Sequence, residues 1–439
     1  MSLICRIKGA VSSRRAKSNL WKRKKSEEIK SVDFLLKSSN SKGTRFVDFQ
    51  TIFSSAPAQN EQQLSWGTNN ETFEENGFIE SEKGIGLFGA KDYCNLSRIS
   101  TCCHTAYYNA NEPSEDRFAL STTEPGEMCA GVFDGHCGWQ AAEFAQKHLI
   151  NCLMMELKNK NPSADSINQT EKAIKRAFRR VENEFIHLIK QAFDAGFGEA
   201  SKVGSCALIA YIKDKRVFVA NLGDCRAVIG RRRGWKLWDP ISLSSDHNIR
   251  EPYEQHKLRS QHPQEDNVFI CNRPGVCYVK GFLQPTRSLG DAYLKYPDFN
   301  GSPMKGRSDS SCDIHVMNSF SPPYITAQPE IVTHDFKDED EFLIVATDGL
   351  WDFLSNDEAV GIVAQGVEES DNNLGERYGA NIGERLLNAT LEKAAKLNHL
   401  SVEALKKVPA GQLRRSIVDD TTIVVIKLKD AIVADEDCC

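Results

Sequence analysis

Four aspartates stand at the ends of short apolar runs, and their placement is the chain's strongest chemical signal. Asp116 opens the run RFAL, Asp134 ends CAGVF, Asp348 follows FLIVAT, and Asp419 stands just before TTIVVIKL. Runs of this kind read as strands, so the four carboxylates are candidates to converge at one edge of a sheet or sandwich. Clustered carboxylates repel one another unless a cation neutralises them, and hard oxygen ligands select Mg²⁺ or Mn²⁺. Taken singly, each aspartate is weaker evidence, because Asp-Gly and Gly-Asp are turn dipeptides that punctuate strands. Spacing along the chain does not establish that they meet.

The elements that must position them can be read from periodicity. Strand-like runs occur at Cys129–Phe133, Ala207–Ile212, Val217–Leu222, Ala227–Ile229, Phe342–Ala346 and Thr422–Leu428. Between them lie helical patterns. In 171–190 the apolar Ile174, Phe178, Val181, Phe185 and Leu188 recur at three- and four-residue steps along one face, and 139–155 and 381–397 behave similarly. Strands and helices arrive in clusters without strict alternation, which predicts an α+β architecture over a doubly wound parallel sheet. Residues 296–322, rich in Pro, Gly, Ser and Asp, predict a long surface loop.

Composition bounds the rest. The 439 residues are 40% hydrophobic and 26% charged, with a net charge of −5, as in ordinary soluble globular proteins. No apolar run approaches the roughly 18 residues of a membrane span. Residues 1–25 hold nine basic side chains and no acidic one, leaving 46 basic against 60 acidic residues elsewhere. That balance argues against a body that binds nucleic acid. The basic segment fits an organellar, mitochondrial transit peptide, although Lys22-Arg23-Lys24-Lys25 equally fits a nuclear address. Residues 26–94 read as a polar arm, 95–430 as the folded domain and 431–439 as an acidic tail. The 14 cysteines show no CxxC pair or disulfide-framework spacing, and reduced thiols are expected.

Wording around the aspartates adds a resemblance. SEDRF (114–118), VFDGHCG (132–138), VGSCALIAYI (203–212), ANLGDCRAVIG (220–230), LSSDHN (243–248), KGFLQPTRSLGD (280–291), ATDGLWDFLSNDEAV (346–360) and DDTTIVV (419–425) occur in order. Together they resemble the metal-dependent, type 2C protein Ser/Thr phosphatases (the PPM family) over roughly three quarters of the chain. The resemblance implies two packed antiparallel sheets flanked by helices, a four-layer α-β-β-α sandwich. Two branches are similar: ANEPSEDR and PPYITAQPEIVTHDFKDEDEFLIVATDGLWDFLS resemble mitochondrial pyruvate dehydrogenase phosphatases. The stretch HKLRSQHPQEDNVFICNRPGVCYVKGFLQPTRSLGDAYLK resembles a plant group that is not mitochondrial.

Carried over by motif, the resemblance implies metal-bridging roles for Asp116 and Asp134, a backbone ligand at Gly135, and completing ligands at Asp348 and Asp419. Asp224 and Asp352 match positions of a third, weaker metal, Asp420 takes a supporting role where most members carry Asn, and Glu115 matches a residue that orients water. Two Mg²⁺ or Mn²⁺ ions about 3.5–4 Å apart would activate a bridging water for in-line attack on a phosphoprotein. His136, locked into DGH and titrating near working pH, is the expected general acid for the leaving alkoxide. Asn111 stands where many members carry a phosphate-gripping arginine, as it does in the pyruvate dehydrogenase phosphatases, so the cation is absent there or comes from elsewhere. Cys137 and Cys225 replace small residues, read as size-tolerant swaps or as thiols able to sense oxidation. Cys438-Cys439 resembles a prenylation end, opposed by the acidic Asp435, Glu436 and Asp437. A non-catalytic scaffold is the competing reading, and it would require lost ligands, whereas every matching aspartate is present; a small-molecule phosphate hydrolase is a third. The phosphoprotein and any regulatory subunit are not named by the sequence.

Overall fold

The computed structural model describes residues 102–124, 127–158, 166–273, 275–299, 320–371 and 381–432. The basic segment, the polar arm, the acidic tail with Cys438 and Cys439, and most of the 296–322 loop lie outside them. The chain divides into two compact units. Within the smaller, the described 392–407 comprises the end of the helix Ile382–Leu397 and the short helix Val402–Lys406. Ser401 caps that helix by accepting a hydrogen bond from the Ala404 N–H (3.2 Å). The larger unit holds the sheets.

Its strands are β1 (Cys103–Tyr108), β2 (Asp116–Glu124), β3 (Glu127–His136), β4 (Gly204–Lys213), β5 (Arg216–Leu222), β6 (Arg226–Gly234), β7 (Leu237–Ser242), β8 (Phe269–Arg273), β9 (Val276–Val279), β10 (Leu289–Gly290), β11 (Glu330–Asp335), β12 (Asp340–Ala346) and β13 (Thr421–Lys427). One sheet runs β1-β13-β12-β6-β7; the other runs β11-β5-β4-β3-β2, with β10 added against β4. All these pairings are antiparallel. Each strand run expected from the sequence lies in one of these sheets, except that Leu428 begins the short helix Leu428–Ile432, and the three helical patterns are the helices Gln140–Lys158, Ser166–Asp194 and Ile382–Leu397.

Strand alternation explains the layering. Side chains on successive residues point to opposite faces. In β4, Cys206, Leu208, Ala210 and Ile212 face the second sheet, where they meet Leu343 and Val345 of β12 and Val424 and Ile426 of β13. The intervening Ala207, Ile209 and Tyr211 pack beneath Leu149, Leu153, Ile174 and Phe178 of the two N-terminal helices. On the far side, Phe342, Ile344, Ile423 and Val425 pack against Val360, Val363 and Leu386. Both faces of the central strands are thus buried, which is why they read as continuous apolar runs. The result is the α-β-β-α order: helices, sheet, sheet, helices. No described helix is long and apolar enough to cross a membrane.

A smaller apolar cluster, including Ile249, Leu258, Val279, Tyr293 and Tyr324, supports the β8–β9 ribbon. Here the expectation of reduced thiols is corrected. Cys271 and Cys277 face each other across the ribbon and form a disulfide. Their six-residue separation spans the turn signal Pro274-Gly275, but the pairing of the thiols depends on the register of the two strands it joins. Cys103, Cys129, Cys137, Cys152, Cys206 and Cys225 are free thiols.

Candidate functional site

Strand register brings the acidic residues together. Asp116 at the start of β2 pairs directly with Asp134 near the end of β3, so both carboxylates leave neighbouring strands at one sheet edge. In the other sheet, Ala346 pairs with Ile423, which puts Asp348, just past β12, beside Asp419 and Asp420, just before β13. Asp224 lies on the short β5–β6 connection at the same edge.

Carboxylate oxygens of Asp134, Asp224 and Asp348 lie within 4.8 Å of one another. Burial, reinforced by repulsion between the carboxylates, raises the pKa of Asp116, Asp134 and Asp348 well above the usual range. Burial also raises those of Asp352 and Asp419, against the opposing pull of Arg250 and Arg415 respectively. Asp116 Oδ2 accepts from Thr347 Oγ1 (2.8 Å), but its Oδ1 is buried with no hydrogen-bond partner among the described residues. An orphaned buried oxygen beside mutually repelling carboxylates is the environment a hard divalent cation relieves. These residues fit Mg²⁺ or Mn²⁺.

Asp224, expected to match the position of a third, weaker metal, lies in the same carboxylate group as Asp134 and Asp348. Its Oδ1 accepts from Cys206 Sγ (3.1 Å) and its Oδ2 from Asn248 Nδ2 (2.7 Å). Asp352 is held at the rim by Arg250 Nη1 (3.3 Å). Gly135 donates its N–H to the Glu115 carbonyl (3.2 Å), and a Cβ at Gly135 would collide with that carbonyl. Only glycine permits this backbone approach.

Asp420 organises the entry to β2. Its Oδ1 accepts from the N–H groups of Ala110 (2.6 Å) and Asn111 (2.9 Å), and its Oδ2 from the Glu115 N–H (2.7 Å) and Asn111 Nδ2 (3.0 Å). All of its accepting capacity is directed at the loop, so it braces the 110–115 turn. Glu115 in turn accepts from the Gly138 N–H (2.6 Å) and from Arg415 Nη1 (3.0 Å). Burial raises the Glu115 pKa against the pull of Arg415.

His136 Nε2 meets Asp291 Oδ2 at 2.7 Å, and the same oxygen accepts from Ser288 Oγ (2.5 Å). Burial opposes the imidazolium, but Asp291 overrides it and the His136 pKa is raised. A Cβ on Gly204 would strike both Asp291 Oδ2 and His136 Nε2, so glycine there makes room for the pair. Asp291 has no role on sequence grounds, although it closes the segment KGFLQPTRSLGD; its reach to His136 is 155 residues long. Cys137 has φ 57°, in the left-handed region that favours glycine. Cys137 is exposed, whereas burial raises the pKa of Cys225, beneath the carboxylates. A buried thiol held protonated oxidises poorly, which favours the size-tolerant reading of Cys225.

Residues 100–398 match the protein phosphatase 2C family. The chain belongs to the protein phosphatase 2C family. It is 35% identical over 325 residues to "Probable protein phosphatase 2C 78" of Oryza sativa subsp. japonica, covering 74% of this chain and 76% of that one. It is also 35% identical over 312 residues to "Probable protein phosphatase 2C 38" of Arabidopsis thaliana, covering 71% and 74%. Among solved structures, the serine-threonine phosphatase 2C from Toxoplasma gondii superposes with a TM-score of 0.50 at 18% identity, over 74% of this chain and 95% of that one. A C. elegans sex determining protein superposes with a TM-score of 0.51 at 18% identity, over 75% and 66%. These two likenesses show the shared fold. As a protein phosphatase 2C, the chain is a metal-dependent protein Ser/Thr phosphatase with phosphoproteins as substrates.

Proposed function

We propose that this phosphatase hydrolyses phosphoserine and phosphothreonine directly, with two Mg²⁺ or Mn²⁺ ions held by Asp116, Asp134, the Gly135 carbonyl, Asp348 and Asp419, and a third near Asp224 and Asp352. The observation that carries this reading is the buried carboxylate cluster with its orphaned Asp116 oxygen. When bound, the cations supply Lewis acidity, lowering the pKa of water and balancing phosphoryl charge. Glu115, fixed by Gly138 and Arg415, orients the attacking water. Asp291 occupies His136 Nε2, leaving Nδ1 to carry the proton that the leaving seryl or threonyl oxygen takes up. Asp420 holds the loop that presents Glu115 and Asp116.

Release of phosphate from a phosphothreonine peptide tests the reading. Turnover is expected to need millimolar-range Mg²⁺ or Mn²⁺, to stop on chelation, to return when metal is restored, and to survive thiol alkylation, because no cysteine is a nucleophile. Full activity in excess EDTA would overturn the metal assignment.

Asn111 and the segments like pyruvate dehydrogenase phosphatase support a finer reading, a mitochondrial phosphoprotein substrate of that kind, and the basic residues 1–25 supply a matching address. A fusion of residues 1–40 to a fluorescent protein is expected to label mitochondria. Diffuse or nuclear fluorescence would remove the main support for that substrate.

A further inference from the structure

The missing arginine at position 111 leaves a question of charge. A dianionic phosphoryl group entering an acidic site is held more strongly with a charge-assisted donor beside the metals. Asn111 carries no charge, and its Nδ2 is already engaged by Asp420 Oδ2 (3.0 Å) and Glu115 Oε2 (3.4 Å). Arg415 reaches the same Glu115 Oε2 from a different stretch of chain, through Nη1 at 3.0 Å, and bonds Asp419 Oδ2 through Nε at 3.1 Å. Its guanidinium therefore stands between two acidic residues of the site. Its side chain is 40% exposed.

Guanidinium has five N–H donors in a planar fork. Arg415 uses two of them, and Nη2 makes no hydrogen bond to a described residue. The other arginines near the carboxylates are differently placed. Arg250 has all three nitrogens on carboxylates, those of Asp246, Glu251 and Asp352. Arg117 turns its donors to the Ser114 and Asp116 carbonyls and to Glu143. Arg415 alone among these three combines an open face with unused donors.

We infer that Arg415 grips the substrate phosphoryl group, supplying from the segment before β13 the charge that Asn111 lacks. Glu115 and Asp419 act as its anchors, setting the plane of the fork so that the free Nη2 edge faces the incoming phosphate. The inference rests on the phosphatase reading of this site and adds a substrate-binding residue to it.

The test uses the full chain with Mn²⁺, a phosphothreonine peptide, and inorganic phosphate as a product inhibitor. Arg415→Ala is expected to raise KM and the inhibition constant for inorganic phosphate together, each by about 10–100-fold, the range of a lost charge-assisted contact. The drop in kcat is expected to be smaller. Arg415→Lys should recover part of the loss, since a point charge replaces the fork. Asn111→Arg in the Arg415→Ala background should restore phosphate affinity by returning the charge to the other side of Glu115. Calorimetric Mn²⁺ affinity should not weaken in any of these variants. Unchanged KM and phosphate inhibition in Arg415→Ala would overturn the inference, as would a change confined to Mn²⁺ affinity, which would make Arg415 a counter-charge only. A parent protein without turnover in Mn²⁺ would instead sink the phosphatase reading, so the two failures are separable.

Discussion

Asp134→Asn is expected to lower phosphopeptide turnover by several orders of magnitude while the protein stays folded. The change is nearly isosteric and removes one charge from the centre of the cluster formed with Asp224 and Asp348. On the proposed two-cation role of Asp134, a neutral amide would not replace its carboxylate, so binding and water activation should fail together. Stability should move the other way. Because burial and neighbouring charge raise the Asp134 pKa above that of an unfolded carboxyl, the ionised form opposes folding once pH exceeds the unfolded value. Removing it should leave the metal-free melting temperature equal or higher at neutral pH. Phosphate release, together with a thermal melt in EDTA, checks both halves. A variant that loses activity only because its melting temperature collapses would contradict the assignment, and so would one that retains near-parental kcat.

His136→Ala is expected to cost about 10²–10⁴-fold in kcat, the usual contribution of a positioned general acid, with Mn²⁺ affinity nearly intact. The pH profile carries the sign. Asp291 raises the His136 pKa above its ordinary value of 6.5, so the proton-donating imidazolium persists above that pH. It is lost as pH rises through the raised pKa. The parent should therefore lose kcat on its alkaline limb, and the alanine variant should lack that limb. Asp291→Asn keeps a hydrogen bond to Nε2 but removes the charge, so its limb should move to lower pH. Parental rates for His136→Ala at every pH would assign the proton to another group.

The parts legible in the sequence are those encoded locally. The apolar runs of β3, β4, β5, β12 and β13 and the three-and-four spacing of Ile174, Phe178, Val181 and Phe185 announce strands and a helix without reference to anything distant. Weaker elements were missed for physical reasons. In β7 and β11 no residue is fully buried, so no apolar run marks them, and the two-residue β10 exists only through its pairing with β4. The Cys271–Cys277 bond was missed because the thiols meet only through the cross-strand register of a short ribbon, which spacing alone does not give.

Site chemistry divides along the same line. Residue type and motif order sufficed to nominate Asp116, Asp134, Asp348 and Asp419, because motifs occurring together in one order carry more than the turn punctuation each aspartate would be alone. Only the tertiary structure decided who meets whom. It put Asp224 within the tightest group, turned Asn111 and Asp420 into a loop brace, joined His136 to Asp291, and brought Arg415 to Glu115 across 300 residues. Those outcomes depend on the register of β2 on β3 and of β12 on β13, where a slip of one residue would send the carboxylates to opposite faces. Register is set by burying both faces of each central strand at once, a condition on the packed sandwich that no local stretch of sequence contains.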